Sequence, residues 1–273
     1  MRGALRQEWV RLRTLRSTWW LTGAALVATA LLAVALTLTA GVQTAARNGA
    51  PGTDVLGDQT AFAIVLSSPT QLTTVFMGLV GVFAFGHDYR YNSILPALTV
   101  VPRRGRLAAA RLIGVTAFSA AVGAACLAVA SLVLLVMGQG RYAPGVGWNP
   151  THLRVAAGAV LLVTLFGLFG LALGCLFRAM PVAISLLFAL PIAVEPMLRV
   201  ILSVGALDSI SGVGRYLPFT AGAQLVAYTT AVDPSVPEAL RNDLTPLVGG
   251  LTLTAVVAVL LLGALTLFER RDA

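Results

Sequence analysis

Lysine is missing from this 273-residue chain: all 19 basic residues are arginine. That absence excludes a P-loop lysine, lysine Schiff-base chemistry and the strand lysine of protein kinases. Charge of either sign is scarce. Charged residues make up 11% of the sequence, against roughly 25% in ordinary soluble chains. With 58% hydrophobic residues and a mean hydropathy of +0.87, too little polar surface remains to face water. Histidine occurs twice, at His87 and His152, and cysteine twice, at Cys126 and Cys175. Neither number supports a His-rich metal site or a disulfide framework. His-Glu-x-x-His and Gly-x-Ser-x-Gly patterns are absent as well, so metalloprotease and serine-hydrolase chemistry have no residues to work with. The composition is that of an integral membrane protein without an enzymatic site.

What is present is a set of long uncharged runs. No charged residue lies between Arg16 and Arg47, Asp58 and His87, Arg111 and Arg141, Arg154 and Arg178, or Asp243 and Glu269. Each exceeds the ~20 residues that cross a hydrocarbon core of about 30 Å. A further run, Pro181–Gly205, is interrupted only by Glu195 and Arg199. The runs predict an all-α integral membrane fold, a single domain with six transmembrane helices near Trp19–Gly41, Pro69–Gly86, Leu112–Met137, Val155–Phe177, Pro181–Ser203 and Leu247–Phe268. Helices are expected because these runs do not alternate and must satisfy their own backbone groups.

Six crossings put both termini on one side. The segments on that side hold thirteen arginines and four carboxylates, a net +9; the opposite side holds six and seven, a net −1. The positive-inside rule assigns the +9 side, and hence both termini, to the cytoplasm. The basic pI of 10.7 thus reports topology beside anionic lipid and not nucleic-acid binding. The two histidines then fall on opposite faces and cannot share a site.

Residues 1–18 read as a cytoplasmic surface helix rather than a cleaved secretory signal. Leu5, Trp9, Leu12 and Leu15 recur at helical spacing with Arg2, Arg6 and Arg13 along one flank, the pattern of an interfacial amphipathic helix. It is either a basic anchor or a surface that also touches a cytoplasmic partner. The longest cytoplasmic loop, residues 87–111, contains Ile94, Leu95 and Leu98 on one face of a short helix that Ser93 would cap. That face either lies on lipid or plugs a groove in a soluble partner.

Several of these segments resemble the permease subunit of type-2 ATP-binding-cassette exporters, in its actinobacterial branch. The resemblance is carried by Glu8-Trp9-x-Arg11-Leu12-Arg13-x-x-Arg16-Ser17-Thr18-Trp19-Trp20, by Asp88-Tyr89-Arg90, by Pro102-Arg103-Arg104-Gly105-Arg106, and by Leu217-Pro218-Phe219-Thr220-Ala221-Gly222. Asp88 stands where the family usually has glutamate. The resemblance implies a permease dimer, homomeric or with a related chain, in a bacterial cell membrane. Two cytoplasmic ATPase subunits would bind ATP and magnesium beneath it, leaving no cofactor in this chain. It also implies ATPase contacts at Asp88, Tyr89, Arg90, Ile94, Leu95 and Leu98 of the coupling helix, and at Glu8 and Arg11 of the surface helix. The cargo would be a hydrophobic or amphiphilic compound (a drug, natural product or lipid). A membrane anchor or sensor that recruits a cytoplasmic protein without transport is the other reading.

Glu195 and Arg199, four residues apart in the fifth run, form either a structural ion pair or a charged lining at the outer exit. Arg178 lies seventeen residues earlier, about 25 Å along a helix, which places the pair near the outer boundary. The long outer segment 205–246 suggests a hairpin that dips into the leaflet; the resemblance implies that it closes the outer mouth of the pathway, while the residues alone equally fit an interfacial cap. Gly167-x-x-Gly170-x-x-x-Gly174 offers a close-packing face, within the chain or at a dimer seam. Cys126 and Cys175 read as small packing residues.

Overall fold

The computed structural model describes residues 2–48, 55–90, 104–138, 148–177, 179–202, 212–228 and 244–270. These residues form helices and turns and include no strand. In chain order the helices are α1 (Arg2–Thr14), α2 (Arg16–Asn48), α3 (Val55–Leu66), α4 (Pro69–Arg90), α5 (Arg104–Met137), α6 (Pro150–Leu176), α7 (Met180–Ala189), α8 (Glu195–Leu202), α9 (Pro218–Ala223) and α10 (Pro246–Arg270). Among the described residues, five stretches are long and apolar enough to cross a bilayer: within α2, α5 and α6, across α7–α8, and in α10. The chain is therefore a multi-pass membrane-helix protein by length and composition. The apolar part of α4, Leu72–His87, is shorter.

α6 is the centre of the bundle. Of its spanning stretch 72% is buried, against 22% for α2 and α10 and 28% for α5. Close approach of α4 explains why α6 carries glycines. A Cβ on Gly170 would strike the Gly78 carbonyl, one on Gly81 the Gly167 carbonyl, and one on Gly174 would fall 2.5 Å from the Val82 carbonyl. Without a hydrophobic drive between helices in lipid, such backbone proximity is the main source of packing energy. The glycine face of α6 is thus used within the chain. The pairing has a constant register: Gly78 meets Gly170 and Val82 meets Gly174, so α4 and α6 run parallel, ninety-two residues apart. The register continues beyond the break at Ser67-Ser68, because the Gln59 carbonyl of α3 meets His152 Nε2 at 3.1 Å. α3 and α4 form one broken helical path beside α6.

Helix ends depart from the sequence expectation where charge does not stop a helix. α2 begins at Arg16 and extends to Asn48, and α5 begins at Arg104, eight residues before the expected span. Arginine does not by itself end a helix, because its long stem can carry the charge towards water while the backbone stays helical. α3, Val55–Leu66, is an added helix in a segment expected to connect two spans. The elbow between α1 and α2 falls at Leu15, where the Trp19 indole N–H donates to the Arg13 carbonyl at 2.8 Å.

The fifth run is interrupted by a π turn, Leu190–Val194, with Pro191 at its start. Proline lacks the donor that the α ladder needs, and the ladder widens: the Glu195 N–H bonds to the Leu190 carbonyl five residues back. A wide turn absorbs one extra residue. On an unbroken α-helix Val194 would lie within about 20° of the buried Leu187, and Glu195 about 80° past it. Instead Val194 is 42% exposed and Glu195 only 5%. The π turn is what points a carboxylate into the bundle.

Candidate functional site

Two polar regions lie at opposite ends of the bundle. The first is the basic end, where α1, α4, α5 and the last turn of α10 converge. Glu8 is buried against Gly114 of α5, and its carboxylate accepts from Arg11 Nη2 at 2.7 Å. Arg11 Nη1 donates to the Ala84 carbonyl of α4 at 2.6 Å. The structure therefore places Glu8 and Arg11 in the seam between surface helix and bundle, together with Leu12, while Trp9 stays 63% exposed. Helical spacing alone grouped Trp9 with Leu12 and missed this inward ion pair. Its signal was the Glu8–Arg11 interval of three residues, which puts both on one face. Close by, Arg111 is buried with its guanidinium 4.3 Å from the Phe85 ring centre. Phe85 packs edge-on to Phe268 of α10, and Glu269 lies against Gly105 of α5.

Asp88, Tyr89 and Arg90 form the last turn of α4, so the expected loop 87–111 is helical at both margins. Ile94, Leu95 and Leu98 lie outside the described residues.

The second region is the distal end. Here α9 and the 3-10 turn Gln224–Val226 sit between α6 and α10. They come close because glycines line the walls: a Cβ on Gly249 would strike the Ala221 carbonyl, and one on Gly158 the Leu225 carbonyl. Phe219 packs against Phe166 and Phe169 of α6 at ring distances of 5.4 and 5.1 Å. Leu217, at the N-cap, offers no side-chain acceptor. Glu195 supplies it from α8: its carboxylate accepts from the Phe219 N–H at 2.9 Å and from the Thr220 N–H. A helix N-terminus presents unsatisfied donors and partial positive charge, so a carboxylate is its natural complement.

Glu195 and Arg199 both line a cavity of about 410 Å³ between α4, α6, the π turn and α9, with Thr70, Thr74 and Phe166 in its wall. Arg199 lies within reach of the Glu195 charge. The sequence brought these two together through their spacing. It missed the backbone of α9 as the partner that takes the carboxylate oxygens, and the proline of Leu190-Pro191 was the readable hint of a register change.

Next to this cavity the end of the α9 segment is pinned to α6. Arg154 Nη2 donates to the Ala227 carbonyl at 2.6 Å, and Tyr228 stacks on buried His152. Deeper in the bundle, Thr73 Oγ1 lies 3.1 Å from Thr29 Oγ1 and 3.6 Å from Cys126 Sγ, joining α2, α4 and α5. Cys175 Sγ donates to the Ala264 carbonyl at 3.5 Å, and both cysteines are buried and outside any disulfide. Among the described residues no three His, Cys, Asp or Glu side chains gather as a metal site. No protein-family model matches the chain, and no curated protein matches it.

Proposed function

We propose that this chain is the permease subunit of an ATP-driven exporter of the type-2 ATP-binding-cassette class, working as a dimer in a bacterial cell membrane. Six helical paths cross the bilayer in this reading, with α3–α4 as the second. Its parallel register with α6 supports that count, because helices two and four of a serial bundle run the same way. Both termini lie in the cytoplasm, consistent with the arginines of α1, α5 and α10 gathering at one end. ATP and magnesium belong to two partner subunits, since no lysine is available here for a P-loop. The cargo is hydrophobic or amphiphilic.

The observation that carries the reading is the bond from Arg11 to the Ala84 carbonyl. It ties the surface helix to the helix whose last turn is Asp88-Tyr89-Arg90. A partner seated on the segment that follows would thus move α4 and α1 together, the linkage a coupled permease needs.

Affinity purification of the tagged chain, co-expressed with its flanking genes, tests this. A co-purifying ATPase whose hydrolysis responds to the permease is expected. A chain that purifies without such a partner refutes the exporter reading. An associated ATPase indifferent to the permease would instead favour an anchor.

A further inference from the structure

The surface helix leaves an apolar groove on the outside of the bundle that neither polar region uses. It has a volume of about 480 Å³ and lies between Trp9 and Leu12 of α1 and the Ile113, Ala117, Ala121 and Ala125 face of α5. That volume is within the range of formed ligand sites. Ile113 and Ala125 are separated by twelve residues, about 18 Å along the helix, or slightly more than half of a hydrocarbon core of about 30 Å. The groove therefore has the length of one leaflet.

Its charge is confined to one mouth. Arg6, Trp9 and Arg13 follow one another at intervals of three and four on the exposed face of α1. Arg106, also exposed, is seven residues before Ile113 and so on the same face of α5, about 10 Å below the groove. The carboxylates described nearby are directed elsewhere: Glu8 is buried against Gly114 with Arg11, and Glu269 lies against Gly105. An apolar slot one leaflet deep with three exposed guanidiniums at its mouth matches a molecule with an anionic head and a long hydrocarbon tail.

We propose that this groove holds one acyl chain of an anionic phospholipid, drawn from the leaflet at the basic end, with its phosphate among Arg6, Arg13 and Arg106. Guanidinium groups suit phosphate by their fork geometry and weak hydration. The bound lipid fills the space between surface helix and α5, holding α1 at the angle that lets Arg11 reach α4.

The test is lipid retention by the full chain. The protein is purified in mild detergent from vesicles of phosphatidylglycerol and phosphatidylethanolamine, and the retained lipid is measured by mass spectrometry. The wild type is expected to keep phosphatidylglycerol in excess over its share of the vesicle. R6Q, R13Q and R106Q should each lower that preference about fivefold, from the attraction of one arginine to an anionic surface. These residues are exposed, so folding is retained; Ala117→Phe with Ala121→Phe should expel both lipids by filling the groove. Retention at the vesicle ratio in the wild type, or the same preference in all variants, overturns the proposal. So does a filling variant that turns a dimer into a monomer with its lipid unchanged, since the occupant is then a second copy of this chain.

Discussion

Glu195 of α8 accepts a hydrogen bond of 2.9 Å from the Phe219 N–H, so the first residue of one helix caps the start of another twenty-four residues later. Removing it leaves two backbone donors of α9 without their acceptor. Glu195→Ala should lower stability by about 1–3 kcal/mol, read as a lower thermal midpoint in detergent. Glu195→Gln keeps an acceptor and should lose less. A charge-swapped Glu195→Arg, Arg199→Glu double should stay as unstable as the Ala variant, because arginine cannot accept from an N–H. Recovery by the swap would mean that the ion pair, and not the cap, is what matters.

Backbone contact between α4 and α6 makes an opposite pair of glycine predictions. Gly170→Ala pushes a methyl into the Gly78 carbonyl, and overpacking of this kind costs about 1–3 kcal/mol or more. Gly263 of α10 has nothing within 4 Å of a Cβ, so Gly263→Ala should leave the midpoint unchanged or raise it. Equal melting of the two variants would contradict the helix pairing.

The Thr29–Thr73–Cys126 contacts should matter much less. Interhelical hydrogen bonds in membranes average about 0.6 kcal/mol, and Thr73→Val keeps the shape of the side chain. We expect its midpoint shift to be well below that of Gly170→Ala, measured under the same conditions. A shift as large would mean that the polar contacts of α2, α4 and α5 contribute as much to the bundle as the glycine pairing of α4 and α6.

Arg11→Gln removes a charged donor from the Ala84 carbonyl and from Glu8, each such bond contributing about 1.5–3 kcal/mol. Under the exporter reading, the assembled complex should retain its ATPase subunits while hydrolysis responds several-fold less to the permease. Full coupling in this variant would separate the surface helix from the coupling route.

Much of the bundle was legible in the sequence because hydrocarbon imposes one simple demand: long uncharged runs become helices. The runs around Val155–Phe177 and Leu247–Phe268 appear as helices α6 and α10 within a few residues. Charge was a poorer guide to helix ends, as α5 continues through Arg104, Arg106 and Arg111. The inward direction of Glu195 was legible only as a hint, in Pro191. It depends on one residue absorbed in the π turn at Pro191 and on a partner, the N-terminus of α9, that lies far along the chain. The Glu8–Arg11 pair was hidden for a related reason, since hydrophobic spacing cannot register a charge buried by a glycine on another helix.

The parallel register of α4 and α6 also sets an order of construction. Gly78 meets Gly170 only after ninety-two further residues have been made. At about 5–20 residues per second of synthesis, that is a wait of roughly 5–18 s. During it the narrow glycine face of α4 lies open to lipid or to neighbouring nascent helices, and α2 is the companion already present, through Thr29 and Thr73. The central helix is thus a late arrival that inserts into a half-built ring. A chain stopped before α6 would have a groove where the finished protein has its core.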